Sequence, residues 1–232
     1  MPLRNNEELP PFSGIPRQGL TFLKQLEKNN NRDWFLEHKR EFEQSLLLPM
    51  RSLVAALRDI LAPVAPSLRI DPIKSIHRIY RDIRFSKDKS PYKTHLAAGF
   101  GHTANEAGAG LYLHISAQEA ATGGGQYMPS PEQLRSIRQA IAADGPSFIK
   151  IVQDQEIKRR FGALRGEKLQ RPPLGFAADH PMLDYLRFKQ FYFIRDYQAD
   201  DCLKSTFVKD VAEDYLRLLP FIDWLRRSAK TA

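Results

Sequence analysis

Residues 75–100, SIHRIYRDIRFSKDKSPYKTHLAAGF, combine a strand-like alternation of apolar and polar side chains with a high density of positive charge. The alternation runs through 76–85 and 94–100, which predicts two strands joined by a turn at SKDKSP. Six arginines or lysines and two histidines lie in this segment, against two aspartates. Because a charged side chain on a half-buried strand requires a carboxylate partner or an anionic ligand, the segment predicts a site as well as part of a sheet.

Two more strands are predicted downstream of this segment. In LYLHIS, at 111–116, apolar residues alternate with Tyr112 and His114, which is the pattern of a strand with one buried face. The glycine-rich stretch GHTANEAGAG, at 101–110, links it to the preceding strand, and ATGGGQYMP, at 121–129, predicts a weaker strand or an edge strand.

Apolar residues recur at helical spacing on both sides of the predicted strands. Asn29, Asn30 and Asn31 are predicted to supply a break and an N-cap between two helices, Ser130 is a predicted N-cap, and Pro131 suits the first position of a helix. Helices are predicted over 19–28, 32–47, 49–61, 130–143, 147–161 and 179–189, with a last helix from about residue 200 in which Pro220 starts or kinks a final turn that holds Trp224. FYFIRDY at 191–197 has a strand-like aromatic composition. Helices, then strands, then helices are typical of the α+β class. We therefore predict an antiparallel sheet of about four strands in the middle of the chain, flanked by N-terminal and C-terminal helices.

The organisation of the chain follows from its length and composition. Residues 1–16 are rich in proline, asparagine and glutamate and are predicted to form an extended lead-in. No later segment has the composition of a linker, so we predict a single α+β domain over 17–232. The N-terminus lacks the apolar core of a signal peptide, and no run reaches the roughly 18 apolar residues of a membrane span. A cytoplasmic location without membrane association is expected, and the single cysteine, Cys202, excludes an internal disulfide.

The charge of the chain is unevenly distributed. The formal net charge is +8, and the excess lies in the middle: residues 73–128 contribute +3 and residues 129–175 contribute +4. A basic surface favours an acidic partner, which here means a phosphate-bearing small molecule or nucleic acid, but it is also compatible with a protein that is merely soluble. Recognisable nucleotide and catalytic motifs, among them the phosphate-binding loop, the zinc-protease helix and the serine-hydrolase elbow, are missing from the sequence. We therefore predict no cofactor.

Strand alternation separates the candidate site residues by role. His95 and His114 fall on the polar sides of their strands and are the candidate catalytic acid–base residues. Arg81 lies on the more apolar face of its strand, so we assign Arg81 and Asp82 to a structural salt-bridge network. The candidate ligand-binding residues, which could hold an anion, are Arg78, Tyr80, Arg84, Lys87, Lys89, Lys93 and Tyr112. His77 and His102 also fall within the strand region, but the surrounding cations would repel a metal ion, and we predict no metal site. The glycine triplet 123–125 either approaches a phosphate or marks a bend in a strand, the second being the commoner case.

Several blocks of this sequence resemble a known family. They are NNNRDWFLEHKREFE at 29–43, RIYRDIRFSKDKSPYKTH at 78–95, GGGQYMP at 123–129, QLRSIRQAI at 133–141 and GFAADHPMLDYLRFKQF at 175–191. Together they resemble domain-of-unknown-function family 2461, a widespread microbial family of conserved hypothetical proteins, over most of residues 12–200. The resemblance implies an α+β fold and a cytoplasmic location, but no activity and no catalytic residues. It adds the pair Asp179 and His180 as a candidate, although Asp179 before Pro181 is also a natural helix N-cap.

Three functions are compatible with the sequence. The first is a binding module that holds a phosphate-bearing ligand or nucleic acid on a basic sheet face, where tyrosines stack on bases. The second is an enzyme that acts on a small anionic substrate, with a histidine as the acid–base group. The third is a structural or partner-binding protein whose arginines only tie helices to the sheet. The sequence leaves open whether the protein is an enzyme, which ligand it binds and what its oligomeric state is.

Overall fold

The N-terminal part of the chain is helical, and a side-chain cap at Asn31 starts its second helix. The computed structural model describes residues 9–101 and 108–229, so His102 and most of the predicted glycine-rich link lie outside the described residues. The N-terminal helices are α1 (Arg17–Lys28), α2 (Arg32–Glu37), α3 (Lys39–Phe42), a π-helical turn (Glu43–Leu47) and α4 (Leu48–Leu61). The Asn31 side chain accepts a hydrogen bond from the Trp34 backbone N–H, as an N-cap does. These helices confirm the three predicted near the N-terminus, apart from an interruption at His38.

The four strands form one antiparallel sheet in the order β1-β2-β3-β4. They are β1 (His95–Phe100), β2 (Gly110–Ser116), β3 (Glu119–Gln126) and β4 (Phe191–Gln198). The predicted α+β class is therefore confirmed, but β3 lies inside the sheet and not at its edge. The FYFIRDY run at 191–197 pairs with β3 as β4, so that β4 and not β3 forms this edge of the sheet. The glycines of β3 weaken its strand pattern in the sequence. The same glycines, which lack side chains, allow the backbone of β4 to pack closely against β3.

Alternation along β1 and β2 separates a core face from a polar face, as predicted. Leu96, Ala98 and Phe100 in β1 are buried, and so are the three apolar residues of LYLHIS in β2. The alternating residues His95, Tyr112 and His114 are half-buried.

The predicted strand at 76–85 does not form as a regular strand. Residues 75–81 run antiparallel to β1 and the residues before it, joined by isolated bridges at Ile76–Ala98 and Tyr80–Tyr92. The chain advances four residues from Ile76 to Tyr80 but six from Tyr92 to Ala98, so two extra residues bulge on the β1 side. After Arg81, whose N–H donates to the Pro91 carbonyl, no such backbone bond to the 91–99 side continues within the described residues.

The C-terminal helices are more broken than predicted. They are α5 (Pro131–Ala143), α6 (Gly145–Val152), α7 (Gln155–Phe161), α8 (Leu183–Leu186), a 3-10 turn (Ala199–Leu203) and α9 (Phe207–Ser228). Ser130 caps α5 in a capping box with Gln133. The predicted helix at 147–161 is two helices, because the Asp154 carboxylate accepts hydrogen bonds from the Glu156 and Ile157 N–H groups and starts α7 anew.

Two predictions for the C-terminal helices are wrong. Only α8 forms within 179–189, and Asp179 is not its N-cap; instead the Nδ1 atom of His180 accepts a hydrogen bond from the Met182 N–H. The last helix starts at Phe207 instead of residue 200, although it contains Pro220 and Trp224 as expected. None of the helices within the described residues is both long enough and apolar enough to cross a membrane.

The chain divides into two compact units. The first unit contains the described residues 9–100, 112–122 and 196–213, and the second contains 101, 108–111, 123–195 and 214–229. In the second unit the fully buried Asp214 carboxylate accepts hydrogen bonds from Arg160 Nη1 at 2.9 Å and from Arg195 Nη1 at 2.8 Å. Two guanidinium groups thus compensate a carboxylate that would be very costly to bury alone.

Candidate functional site

Basic and aromatic side chains gather beside β1 and β2 in the first unit. They come from three neighbouring segments: the 75–81 segment, β1 with the residues just before it, and β2. We call this cluster the sheet-face site, and its members are His77, Arg78, Lys93, His95, Tyr112 and His114. Five of the six were predicted as site residues; His77 was noted only as a histidine of the strand region.

The rings of the sheet-face site form a continuous row. The ring centroids of His77 and Tyr112 lie 6.4 Å apart, those of Tyr112 and His114 lie 5.6 Å apart, and those of His114 and His95 also lie 5.6 Å apart. Period-two alternation on β1 and β2 places His95, Tyr112 and His114 on the polar face. The row therefore crosses three neighbouring backbone segments.

In this site, burial and neighbouring positive charges lower the pKa values of one lysine and two histidines. Burial, followed by the charge of Arg78, lowers the pKa of Lys93. Burial and then the Lys93 charge lower the pKa of His77. The pKa of His95 is lowered first by burial and then by His114, Lys93 and His77. Burial and the neighbouring positive charges thus disfavour the protonated forms of Lys93, His77 and His95.

Acidic groups play a small part in the sheet-face site. Within residues 9–101 and 108–229, no carboxylate forms an ion pair with His77, Lys93 or His95. Arg78 lowers the pKa of Asp82 through space, but Asp82 pairs with a different arginine. The excess positive charge of the site is therefore left without a direct counter-ion among the residues described.

Glu119 is a carboxylate that contacts this cluster through His114. Its Oε1 atom lies 3.4 Å from Nε2 of His114. Glu119 was not among the predicted residues. It begins β3 after a loop of only two residues that follows Ser116, the end of β2, and a hairpin this short brings the first residues of one strand beside the last residues of the other. The spacing H-x-x-x-x-E across a tight turn was the available signal.

The remaining predicted cations lie on a separate element, residues 81–90, which we call the charged turn. Arg81 pairs with Asp88, and Arg84 pairs with Asp82 at 2.7 Å. Arg81 and Asp82 thus both make ion pairs, but not with each other. The hydrogen bonds from Ser90 and Arg81 lower the pKa of Asp88, and those from Arg84 lower the pKa of Asp82. The charged turn neutralises its arginines locally.

Lys87, Lys89 and Tyr80 are not brought into the sheet-face site. Lys87 and Lys89 are exposed on the charged turn, where Lys89 Nζ donates a hydrogen bond to the Ile83 carbonyl at 3.0 Å. The ring of Tyr80 packs against Tyr92 and Phe35 at centroid distances of 5.3 and 6.2 Å. Strand alternation placed Tyr80 on the same face as Arg78, but in the structure its ring contacts are with these aromatic residues.

The glycine triplet is explained by the sheet. A Cβ atom at Gly123 would lie 2.4 Å from the Phe193 carbonyl oxygen, and one at Gly125 would lie 2.1 Å from the Phe191 carbonyl oxygen. Gly125 also has φ of +148°, a conformation that favours glycine. The space above these glycines is thus taken by the backbone of β4, as the bend interpretation implies, and not by a phosphate.

Two other kinds of chemistry find little support in the described residues. Burial raises the pKa of the Cys202 thiol to about 12, and its Sγ atom donates to the Ala199 carbonyl, which is typical of a packed and unreactive cysteine. In the described part of the chain, no group of three or more histidine, cysteine, aspartate or glutamate side chains is arranged to hold a metal ion.

Comparison with known proteins identifies the family. The sequence pattern of the family described as "Conserved hypothetical protein (DUF2461)" matches residues 18–224. Neither the curated proteins nor the solved structures give a match. The family match covers the helices α1 to α8, all four strands and most of α9, including every residue of the sheet-face site. The chain therefore belongs to the conserved hypothetical protein family DUF2461.

Proposed function

We propose that the protein binds a phosphate-bearing anion at the sheet-face site. The observation that carries the proposal is the grouping of Lys93, His77 and His95, whose pKa values are lowered first by burial and then by neighbouring positive charges, and which form no ion pair with a carboxylate among the described residues. Such an arrangement costs free energy in the folded protein unless an anion compensates it. Ionisable groups with perturbed pKa values concentrate at functional sites for this reason.

The residue types suit a phosphate group. A guanidinium presents a planar fork of donors that matches two phosphate oxygens, and an ammonium adds a compact point charge. Neutral imidazoles of His77 and His95 each offer one N–H donor, and they gain a second donor and a positive charge on protonation. A bound dianion would raise the pKa of both histidines, so we expect binding to be accompanied by proton uptake.

Calorimetric titration with inorganic phosphate at pH 7 and low salt tests this function. We expect the double variant Arg78→Ala/Lys93→Ala to weaken binding by on the order of 100-fold, because hydrogen bonds to charged groups are worth about 1.5–3 kcal/mol each. The matched control is Lys24→Ala/Lys28→Ala, which removes the same charge from exposed positions on α1. If neither phosphate nor simple phosphate esters bind the wild type, or if both double variants lose affinity equally, the proposal is wrong and the structural role of these cations is favoured.

A second candidate function is acid–base catalysis on the bound anion. The specific observation in its favour is the contact between Glu119 and His114, because a carboxylate that holds one imidazole beside another is a common way to assign acid and base roles. In this function His95, whose pKa is lowered, acts as the base, and His114 acts as the acid. A screen of phosphate esters with wild type, His95→Ala and His38→Ala tests it: activity that survives only in the His38 variant supports it, and activity that survives in both excludes His95.

A further inference from the structure

The ring row of the sheet-face site has a feature that anion binding alone does not require. β1 lies between the 75–81 segment and β2, so the backbones that carry His77 and Tyr112 are separated by two strand spacings, about 9.6 Å in all. Their ring centroids are nevertheless only 6.4 Å apart. The two rings therefore lean towards each other over β1.

Ala97 makes this approach sterically possible. It lies in β1, its carbonyl accepts a hydrogen bond from the His77 N–H at 2.8 Å, and alternation puts its methyl group on the same face as His95. Ala97 is 2% exposed, so its small side chain is covered. A longer side chain at this position would occupy the space into which the rings lean.

The rings lie beside the permanent charges. Lys93 acts electrostatically on both His77 and His95, which stand at the two ends of the ring row, and Arg78 directly follows His77 in the chain. His77 is exposed as a residue, so a ligand can reach this end of the ring row. A planar ring that stacks there would have its attached phosphate within reach of the cations.

We propose that the anion is a nucleotide, whose phosphate binds Arg78 and Lys93 and whose base stacks on the ring row that begins at His77 and Tyr112. The proposal rests on the proposed anion-binding function and adds the class of ligand. Every nucleobase has a π-face, and stacking on an aromatic side chain contributes about tenfold or more in affinity per base.

The charge distribution favours a mononucleotide over a nucleic-acid strand. A strand is held by a basic groove that follows its backbone over several phosphates. Here the next arginines along the chain, Arg81 and Arg84, are paired with Asp88 and Asp82 in the charged turn. The cations without an ion-pair partner among the described residues near the rings therefore suffice for one or two phosphate groups and do not continue as a track.

The test compares three probes by calorimetry: adenosine 5′-monophosphate, ribose 5-phosphate and inorganic phosphate. We expect the nucleotide to bind at least about tenfold more tightly than ribose 5-phosphate. His77→Ala, a change at an exposed ring, is expected to remove most of this preference while phosphate affinity changes less. Tyr112→Phe, which keeps the ring, is expected to preserve the preference, whereas Tyr112→Ala is expected to reduce it.

The outcomes separate the two proposals. Equal affinities for the nucleotide and the sugar phosphate overturn the nucleotide assignment and leave anion binding intact. A preference that persists in both His77→Ala and Tyr112→Ala also overturns it. No binding of any probe overturns the anion-binding function itself. A single-stranded octanucleotide that binds more than about tenfold tighter than the mononucleotide at equal salt assigns the site to nucleic acid instead.

Discussion

The charged turn and the sheet-face site are adjacent in the sequence and share residue types, but of these two regions only the charged turn has its arginines paired with aspartates among the described residues. In the turn, each arginine has an aspartate within seven residues, and the backbone bends so that the two meet. In the site, the cations come from segments that are paired as strands, and the strand geometry brings cation to cation. The density of arginine and lysine in a segment therefore does not locate a binding site. The fold decides whether a carboxylate lies beside each cation.

The largest effect should come from making the site resemble the turn. Lys93→Glu places a carboxylate next to Arg78, so that the two can form the ion pair that the site lacks. We expect phosphate affinity to fall by on the order of 100-fold or more, since a charged contact is lost and a repulsion is gained. The thermal midpoint should stay the same or rise, because the repulsion among cations is relieved.

The matched change in the turn is Lys87→Glu, which alters the net charge by the same amount at an exposed position. We expect its phosphate affinity to remain within about threefold of the wild type, as is usual for screened surface charges. Equal losses in the two variants, measured by calorimetry in the same buffer, would mean that net charge and not the site controls binding.

A change of pH should have an intermediate effect, acting through the histidines of the sheet-face site. His77 and His95 have a lowered pKa in the folded protein, so below about pH 6.5 the unfolded chain binds more protons than the folded one. The free energy of unfolding should therefore decrease as the pH falls from 7.5 to 5.5, and bound sulfate, whose charge is constant in this range, should offset the loss.

We expect sulfate to bind about tenfold more tightly at pH 5.5 than at pH 7.5, measured from the shift of the thermal midpoint with sulfate concentration. His77→Asn/His95→Asn should flatten this dependence, and His38→Asn, on a different element, should leave it unchanged. Sulfate that stabilises the wild type equally at the two pH values would contradict the assignment of these histidines to the site.

A smaller effect is expected from Glu119, the carboxylate that contacts His114 in the site. Glu119→Gln keeps the shape of the side chain next to His114 but removes its charge. Because Glu119 is half exposed, we expect phosphate affinity to increase only by about two- to threefold. A decrease in calorimetric affinity would show that Glu119 positions His114 for the ligand more than it repels the ligand.

The smallest effect on binding should come from opening the turn. Asp88→Asn weakens the contacts of Asp88 with Arg81 and Ser90. Backbone amides in the turn should exchange hydrogen faster, while phosphate affinity should change by less than about twofold, because the turn does not contribute to the site. A clear loss of affinity would place Arg81 in the site after all.

Much of the fold was predictable because its signals are local. Asn31, Ser130 and Pro131 mark helix starts by their own side chains, and the alternation in β1 and β2 identified both the core face and His95, Tyr112 and His114 as neighbours on the polar face. The prediction of a strand at 76–85 was wrong because the alternation of apolar and polar residues indicates which side chains are buried but not where backbone pairing ends. Pairing ends at Arg81, where side-chain contacts within the turn take over.

The parts that could not be predicted depend on contacts distant in sequence. FYFIRDY completes the sheet as β4 more than 60 residues after β3, and that pairing decides that β3 is internal. Whether an arginine meets an aspartate or another cation depends on how the turn bends, which no periodicity encodes. His77 and Glu119 join the site through strand neighbours, so a sequence pattern can reveal them only once the hairpin register is known.

The two-residue bulge opposite the 75–81 segment also constrains how the length of this region can change. Because side chains alternate with a period of two, an even number of extra residues leaves Lys93 and His95 on one side of the strand. Deleting one residue, such as Thr94, would turn Lys93 away from the histidines, whereas deleting or inserting two would keep them together. Chains of this family that retain the site should therefore differ here by even numbers of residues.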